Sequence, residues 1–135
     1  MIHMNKIKEL LRSKDLRPTD QRLMVGGLLF DGTDKHVTAE TIYRDLKNRN
    51  QKISLATVYN ILHDFSNKKL LEKVTIDPEK VYFDTNTERH YHFYYDDKKT
   101  LTDIPKNNII IKSLPKAPKG KSIKNVEIIV HLENK

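Results

Sequence analysis

The spacing of apolar residues changes from helical to strand-like near residue 70, and this change limits the folds open to the chain. Before it, apolar residues recur every three to four positions, which predicts four amphipathic helices. After it, two β-prone runs, Leu70 to Ile76 and Lys80 to Asp84, flank the turn residues Asp77-Pro78-Glu79. Helices followed by a hairpin predict a winged helix-turn-helix.

Local signals mark where the predicted helices begin. The first covers Met4 to Lys14, and Thr19, Thr38 and Ser54 are suited to cap the other three. Arg17-Pro18 ends the first helix, because the residue before a proline avoids the helical conformation. The predicted buried faces are Leu23, Met24, Leu28 and Phe30 on the second helix, Ala39, Ile42, Tyr43 and Leu46 on the third, and Leu55, Val58, Ile61, Leu62 and Phe65 on the fourth.

The region after residue 86 is predicted to be rich in β-strands. The four predicted strands are His90 to Tyr95, Thr100 to Ile104, Ile109 to Lys112 and Val126 to Leu132. A polar link, Thr85 to Arg89, precedes them, so we place the domain boundary near Asn86. The expected fold is therefore α+β, with a winged helix-turn-helix over residues 1–86 and a small β-rich domain over residues 87–135.

Charge and composition restrict the classes of partner and the cellular compartment that we expect for this chain. The chain has 25 Lys and Arg against 18 Asp and Glu, a net charge of +7, which favours nucleic acid as a polyanionic partner. Cysteine is absent, which excludes disulfides, thiol catalysis and Cys-ligated structural zinc. The longest apolar stretch, Leu23 to Phe30, is far shorter than the roughly 20 residues of a membrane helix. We expect a cytoplasmic protein without a membrane partner.

The fourth helix is the candidate DNA-reading element. Its face opposite the apolar residues consists of Thr57, Asn60, His63 and Asp64, with Tyr59 at the margin. An amide can contact adenine with two hydrogen bonds, and a phenol can reach a base or a phosphate. The hydroxyls of Ser54 and Thr57, near the helix N-terminus, suit phosphate oxygens. The alternative is an ordinary amphipathic helix with a solvated polar face.

Histidines and aspartates form a candidate metal site. His90 and His92 lie two positions apart in a predicted strand, so both imidazoles share one face. Asp84 comes six residues before this pair, Asp103 comes eleven residues after it, and His36 is a further candidate ligand. Imidazole together with carboxylate suits zinc, iron(II) or manganese. The alternative is a polar domain interface without metal, in a metal-independent DNA-binding module.

Several motifs resemble the ferric uptake regulator family of bacterial transcription factors, in order over nearly the whole chain. They are Arg17-Pro18-Thr19-x-Gln21-Arg22, His36-Val37-Thr38-Ala39-Glu40, Ser54-Leu55-Ala56-Thr57-Val58-Tyr59-Asn60, Tyr82-Phe83-Asp84-Thr85-Asn86-Thr87, His90-Tyr91-His92 and Asp103-Ile104-Pro105. The Phe-Asp-Thr-Asn-Thr segment, the aromatic run Phe93-Tyr94-Tyr95, the Asp-Ile-Pro motif and the lack of cysteine are most similar to the iron response regulator branch.

The resemblance implies a DNA-binding winged helix followed by a dimerisation domain. It implies that Tyr59 and Asn60 contact bases in the major groove and that Arg17 reaches toward the minor groove. It maps one regulatory divalent metal per subunit (iron, manganese or zinc) onto His36, Asp84, His90, His92 and Asp103. A metal there would hold the two domains in the orientation in which both recognition helices of a homodimer fit DNA.

The chain also departs from the family pattern. The paired Cys-x-x-Cys motifs of the structural zinc site are missing, so no such zinc is expected. The Lys/Pro-rich segment Pro105 to Lys124 stands in place of the long helix of the dimerisation domain. His90-Tyr91-His92 occupies the place of three histidines that the iron response branch links to haem sensing. Haem at His90, Tyr91 and His92 is therefore a further expectation, since tyrosinate can also ligate haem iron.

The expected function is an iron-responsive transcriptional regulator that is not an enzyme and binds a pseudo-palindromic operator in double-stranded DNA as a homodimer. A first alternative is a peroxide sensor of the same family, in which bound iron(II) oxidises a ligand histidine. A second alternative, from another class, is a zinc metallohydrolase that uses the same five residues around a metal-bound water.

Overall fold

The computed structural model describes residues 4–135, which form two compact units. Unit 1 ends at Thr87, and unit 2 runs from Glu88 to Lys135. The division falls one residue after the boundary expected from the sequence. The functions expected of the two parts, DNA binding and dimerisation, stay predictions.

Unit 1 contains four helices, which are α1 (Met4–Ser13), α2 (Asp20–Leu29), α3 (Ala39–Asn48) and α4 (Leu55–Asn67). The last three begin where the sequence predicts. The hydroxyls of Thr19, Thr38 and Ser54 each accept a hydrogen bond from the backbone N–H three residues further on. Such caps satisfy backbone donors that have no partner inside the helix.

The helices enclose one apolar core, and three predicted buried faces need correction. On α3, Tyr43 is only partly buried, whereas Ala39, Ile42 and Leu46 are buried. On α4, Leu55 is exposed, because it occupies the first helical position, whereas the other four predicted residues are buried. On α2 the buried residues are Leu23, Val25, Gly26 and Leu29. Met24, Leu28 and Phe30 are only partly buried. Residues 23–30 of α2 and its cap are apolar or glycine throughout, so periodicity could not select the buried side.

The predicted wing is confirmed as a hairpin of β2 (Glu72–Asp77) and β3 (Lys80–Asp84). A short strand that was not predicted, β1 (His36–Val37), pairs with the other edge of β3, so the order is β1-β3-β2. Two residues are too few to show the alternation by which strands are predicted. The register places His36 opposite Asp84.

Unit 2 is a small sheet of β4 (His92–Tyr95), β5 (Thr100–Asp103) and β6 (Ile129–Leu132), in the order β5-β4-β6. β4 pairs antiparallel with β5 and parallel with β6. The predicted strand Ile109 to Lys112 is wrong, since these residues have no regular structure and Ile110 is 82% exposed. A β-prone run becomes a strand only where a neighbouring strand packs beside it, and this run has none in the described part of the chain.

The expected α+β fold class is confirmed by these helices and by the two three-stranded sheets. Within residues 4–135, no helix has both the length and the apolar character needed to cross a bilayer.

Candidate metal ligands and nucleic-acid interface

In unit 1, strand pairing brings an imidazole and a carboxylate together. Nε2 of His36 lies 3.0 Å from Oδ2 of Asp84, directly across the β1–β3 pair. The side chain of Asp84 is completely buried, and its Oδ1 accepts a hydrogen bond from the backbone N–H of Asn86 at 2.9 Å. A buried carboxylate that faces an imidazole provides two of the ligands that divalent metals prefer.

The loop that leads into β1 fixes the position of His36. The backbone N–H of Lys35 donates to Oγ1 of Thr85, and the backbone N–H of Thr85 donates to the carbonyl of Lys35. Upstream, the carboxylate of Asp31 accepts hydrogen bonds from Nζ of Lys35 and from the hydroxyl and backbone N–H of Thr33. These bonds, that of Lys35 first, hold the pKa of Asp31 well below its usual range. His36 therefore enters the strand from an anchored loop.

In unit 2, two imidazoles converge on one carboxylate oxygen. Oδ1 of Asp103 lies 3.0 Å from Nε2 of His90 and 3.5 Å from Nε2 of His92. The two imidazole rings are 4.4 Å apart between centroids, and their side chains are only 7% and 5% exposed. His92 is paired with Asp103 by the β4–β5 register, whereas His90 lies in the loop before β4. The predicted shared strand was wrong for His90, yet its ring lies beside that of His92.

A hydrogen bond at Nδ1 of His90 makes the group of His90, His92 and Asp103 suited to bind a cation. Nδ1 of His90 lies 2.6 Å from the carbonyl oxygen of Glu88, which can only accept, so Nδ1 carries a proton. In the neutral imidazole, Nε2 then presents a lone pair toward an ionised Asp103. Two lone pairs at 3.0 Å require a proton or a cation between them. An outer hydrogen bond that fixes the histidine tautomer is typical of metal ligands.

Tyr91, the third residue of the haem expectation, is half-buried. Its carbonyl oxygen accepts the backbone N–H of Ile104 at 2.9 Å, which joins the loop before β4 to the end of β5.

The residues expected to contact DNA lie on two parts of unit 1. Arg17 is exposed in the loop between α1 and α2, and Asn60 is exposed on α4. Oγ of Ser54 accepts the backbone N–H of Thr57 at 3.1 Å and donates to Oγ1 of Thr57 at 2.8 Å. The hydroxyl proton of Thr57 is not used in this pair, so it can be donated to a phosphate.

Tyr59 lies at the edge of α4 and packs toward the wing. Its ring is 4.8 Å from that of His63 and meets the buried ring of Phe83 edge-on at 6.2 Å. Burial lowers the pKa of His63, and the charge of Lys73 lowers it further, whereas Asp64 acts in the opposite direction. The His63 ring thus supports the Tyr59 ring by direct packing.

A polar cleft between α2 and α4 has no counterpart in the sequence analysis. It has a volume of about 380 Å³ and is lined by Arg17, Thr19, Gln21, Arg22, Thr57, Ile61 and Asp64. Within it Arg22 donates to the carbonyl of Arg17 and forms an ion pair with Asp64. Arg22 belongs to a family motif and Asp64 to the polar face of α4, but no local pattern links residues 42 positions apart.

Fold and side-chain groups together define a winged-helix protein that carries candidate metal ligands in each unit. Residues 13–131 match the model of the ferric uptake regulator family. The chain belongs to this family. Members of the family are transcriptional regulators and not enzymes, so the expectation of a non-enzyme is confirmed and the metallohydrolase alternative is set aside.

Individual relatives come from both iron and peroxide regulation. The chain is 32% identical to the ferric uptake regulation protein of Cupriavidus metallidurans over 81 residues, which cover 60% of this chain and 57% of that protein. It is 35% identical to the peroxide-responsive repressor PerR of Staphylococcus epidermidis over 82 residues, which cover 61% and 54%. The chain thus spans little more than half the length of these curated relatives.

Solved structures show the same fold. The ferric uptake regulator from Pseudomonas aeruginosa with manganese has a TM-score of 0.72 at 21% identity, covering 95% of this chain and 97% of that one. A zinc-bound manganese uptake regulator has a TM-score of 0.61 at 21% identity, covering 93% and 96%. At these identities the likeness supports the fold alone.

Proposed function

We propose that this chain is a DNA-binding transcriptional regulator whose affinity for its operator depends on a bound divalent metal. The observation that carries the proposal is the pairing of histidine with aspartate in both units of a family member, at 3.0 Å for His36 and Asp84 and at 3.0 Å for His90 and Asp103. An imidazole beside a carboxylate is a donor pair that suits a divalent cation, and a ligand role accounts for its presence in both units.

The metal proposal assigns one divalent ion per subunit to His36, Asp84, His90, His92 and Asp103 acting together. Three imidazoles and two carboxylates, without any thiolate, suit iron(II), manganese or zinc. When bound, the cation supplies positive charge that both carboxylates can share. Ligands drawn from both units make DNA binding depend on occupancy, because the proposed recognition helix belongs to unit 1 and the proposed dimerisation surface to unit 2.

The DNA proposal places α4 in the major groove, with Tyr59 and Asn60 at base edges. The Ser54 and Thr57 hydroxyls lie at the N-terminus of α4, where phosphate oxygens are favoured by unpaired backbone N–H groups. Arg17 extends toward the minor groove. A homodimer with two such helices reads a pseudo-palindromic operator in the cytoplasm.

For the signal, we propose iron availability, as in the iron response regulator branch. Peroxide sensing is the second candidate, and the 35% identity to a peroxide-responsive repressor favours it. Haem at His90, Tyr91 and His92 is an additional proposal within the iron response branch, resting on the sequence resemblance alone.

The test compares metal-loaded and chelated protein. Duplexes are selected from a random pool with the loaded protein, and metal and haem contents are measured on the same preparation. We expect loaded protein to bind the selected duplex at least tenfold more tightly than chelated protein, the scale of typical allosteric coupling of about 1–3 kcal/mol. Mass spectrometry after iron(II) and peroxide reports oxygen addition at His36 or His90 if the peroxide alternative holds.

Two variants distinguish the removal of a proposed metal ligand from the removal of any histidine. His90→Ala is expected to abolish the metal dependence, whereas His131→Ala is the matched control, because His131 is half-exposed and pairs with Asp96 instead. Equal operator affinity with and without metal, together with normal binding by His90→Ala, would leave a metal-independent DNA-binding module.

A further inference from the structure

Arg22 joins two parts of unit 1 to which we assign DNA contacts. Its Nη1 donates to the carbonyl oxygen of Arg17 at 2.9 Å, and its Nη2 lies 3.4 Å from Oδ2 of Asp64 on α4. Arg22 itself lies in the first turn of α2, three residues after the Thr19 cap. One guanidinium thus contacts both the loop that carries Arg17 and the helix that carries Asn60.

This contact differs from an ordinary surface ion pair. Arg49, the residue that follows α3, forms such a pair with Asp45 in the last turn of that helix, and the arginine side chain is 61% exposed. Asp64 is 48% exposed, much like Asp45, but the Arg22 side chain is only 23% exposed, and 42 residues separate Arg22 from Asp64. The planar guanidinium presents its donors in a fixed fork, so it can hold two acceptors in a defined relation, which a lysine ammonium cannot do.

Asp64 poses an electrostatic problem for DNA binding at this surface. Its carboxylate lines the same cleft as Arg17 and Thr57, which we assign to DNA. An uncompensated carboxylate beside approaching phosphates is repulsive. The ion pair with Arg22 offsets that charge. The same contact holds Arg22 in place, and this structural role explains why an acidic residue occupies position 64.

We propose that Arg22 is a positioning residue for DNA recognition, which sets the spacing between the Arg17 loop and α4 by holding both at once. The inference rests on the proposed DNA-binding function. Arg22 acts through Arg17 and α4, because its two outer nitrogens are already directed at protein acceptors.

The direction of the effect of Asp64→Ala is the first test. If Asp64 acted only through its charge, its removal would tighten binding to the selected duplex. If Asp64 anchors Arg22, removal weakens binding by about tenfold, the scale of one hydrogen bond to a charged group. Asp45→Ala is the matched control, since it removes an arginine-paired acid from the same unit and is expected to change affinity by less than about twofold.

The second test keeps the charge and removes the two-armed contact. Arg22→Lys is expected to weaken operator binding by about tenfold while binding to random duplexes stays unchanged. Arg17→Ala should then weaken operator binding less in the Arg22→Lys background than in wild type. The reason is that the Arg22→Lys substitution has already moved Arg17 away from its position. Arg49→Lys is the control, and thermal melting of each variant verifies that the fold is kept.

Different results overturn the inference in different ways. Wild-type operator affinity in both Arg22→Lys and Asp64→Ala contradicts it, as does an unchanged cost of Arg17→Ala in the Arg22→Lys background. If Arg22→Gln weakens operator and random duplexes alike, with a salt slope smaller by about 0.9, Arg22 is a direct phosphate contact instead. A wild-type protein that binds no duplex refutes the proposed function and this inference together.

Discussion

Replacement of Asp84 by asparagine tests two roles of this carboxylate separately, its contribution to folding stability and its proposed role as a metal ligand. The Asp84 side chain has no exposed surface, its Oδ1 accepts the N–H of Asn86, and its Oδ2 lies 3.0 Å from Nε2 of His36. Asparagine has nearly the same shape and keeps an acceptor for Asn86. The substitution therefore changes the charge and the contact with His36.

The expected magnitudes differ between chelated and loaded protein. Without metal, the charge-assisted contact with His36 is replaced at best by a neutral amide–imidazole hydrogen bond, which lowers the free energy of unfolding by about 1 kcal/mol and the melting temperature by about 6 °C for a unit of this size. With metal at 100 times its Kd, the wild type gains about 2.7 kcal/mol. If Asp84→Asn binds metal 100-fold more weakly, it gains about 0.4 kcal/mol at the same concentration.

Urea unfolding followed by circular dichroism, in chelator and in Mn²⁺, measures both quantities. Asp45→Asn is the control, because Asp45 forms an exposed ion pair with Arg49 and lies outside the ligand group. A gain from Mn²⁺ in Asp84→Asn equal to that of wild type would show that Asp84 is not a ligand. Unchanged stability in chelator would show that the charge of Asp84 contributes nothing to the fold.

Three further perturbations address the contact of the wing with α4, the apolar core and the N-terminus of α4. Lys73→Gln is expected to raise the pKa of His63, measured by NMR titration, because the Lys73 charge lowers it. The pKa of His63 in the folded protein lies below the unfolded value of about 6.5, so the free energy of unfolding falls as the pH drops from that value through the folded pKa. Lys73→Gln should make this fall smaller. Identical pH profiles of stability for wild type and Lys73→Gln would contradict the expectation. Leu62→Ala removes a fully buried side chain and should lower the free energy of unfolding by about 2–5 kcal/mol, whereas a cost below 1 kcal/mol would argue against the packing seen here. Ser54→Ala removes the α4 cap and should cost about 1 kcal/mol in the same urea experiment, with no loss as the opposing result.

The sequence predicts those features of unit 1 that depend on local chemistry. A hydroxyl at Thr38 or Ser54 caps a helix wherever the next residues are helical, so helix starts can be read from a few positions. The apolar spacing on α4 is likewise local, and four of its five predicted residues are buried. The turn at Asp77-Pro78-Glu79 predicts the wing for the same reason.

Features that depend on distant partners were missed or predicted wrongly. The run Ile109 to Lys112 is as β-prone as β6, but only β6 has a neighbour, β4, with which to pair. The parallel β4–β6 pair joins residues 37 positions apart, and no sequence period encodes such a partner. The contact of Arg22 with Asp64 was missed for the same reason.

Strand register is what brings histidine to aspartate in each unit. His36 lies opposite Asp84 across β1–β3, and His92 lies opposite Asp103 across β4–β5, both in antiparallel pairs. Residues opposite one another on such a pair have Cβ atoms about 4.5–5.5 Å apart, within reach of an imidazole and a carboxylate. A slip of one residue would send one partner of each pair to the other face.

The register in turn depends on apolar neighbours. Phe83, next to Asp84, is completely buried, and a slip of β3 would expose it. In unit 2, Tyr94 lies two residues after His92 and pairs with Leu101, and both are buried on the same face as the candidate ligands His92 and Asp103. Burial of these side chains therefore fixes the spacing of the candidate ligands. The same pairing of an imidazole with a carboxylate occurs in two separate sheets. This repetition favours a shared chemical role for the two pairs over a chance placement of charged residues.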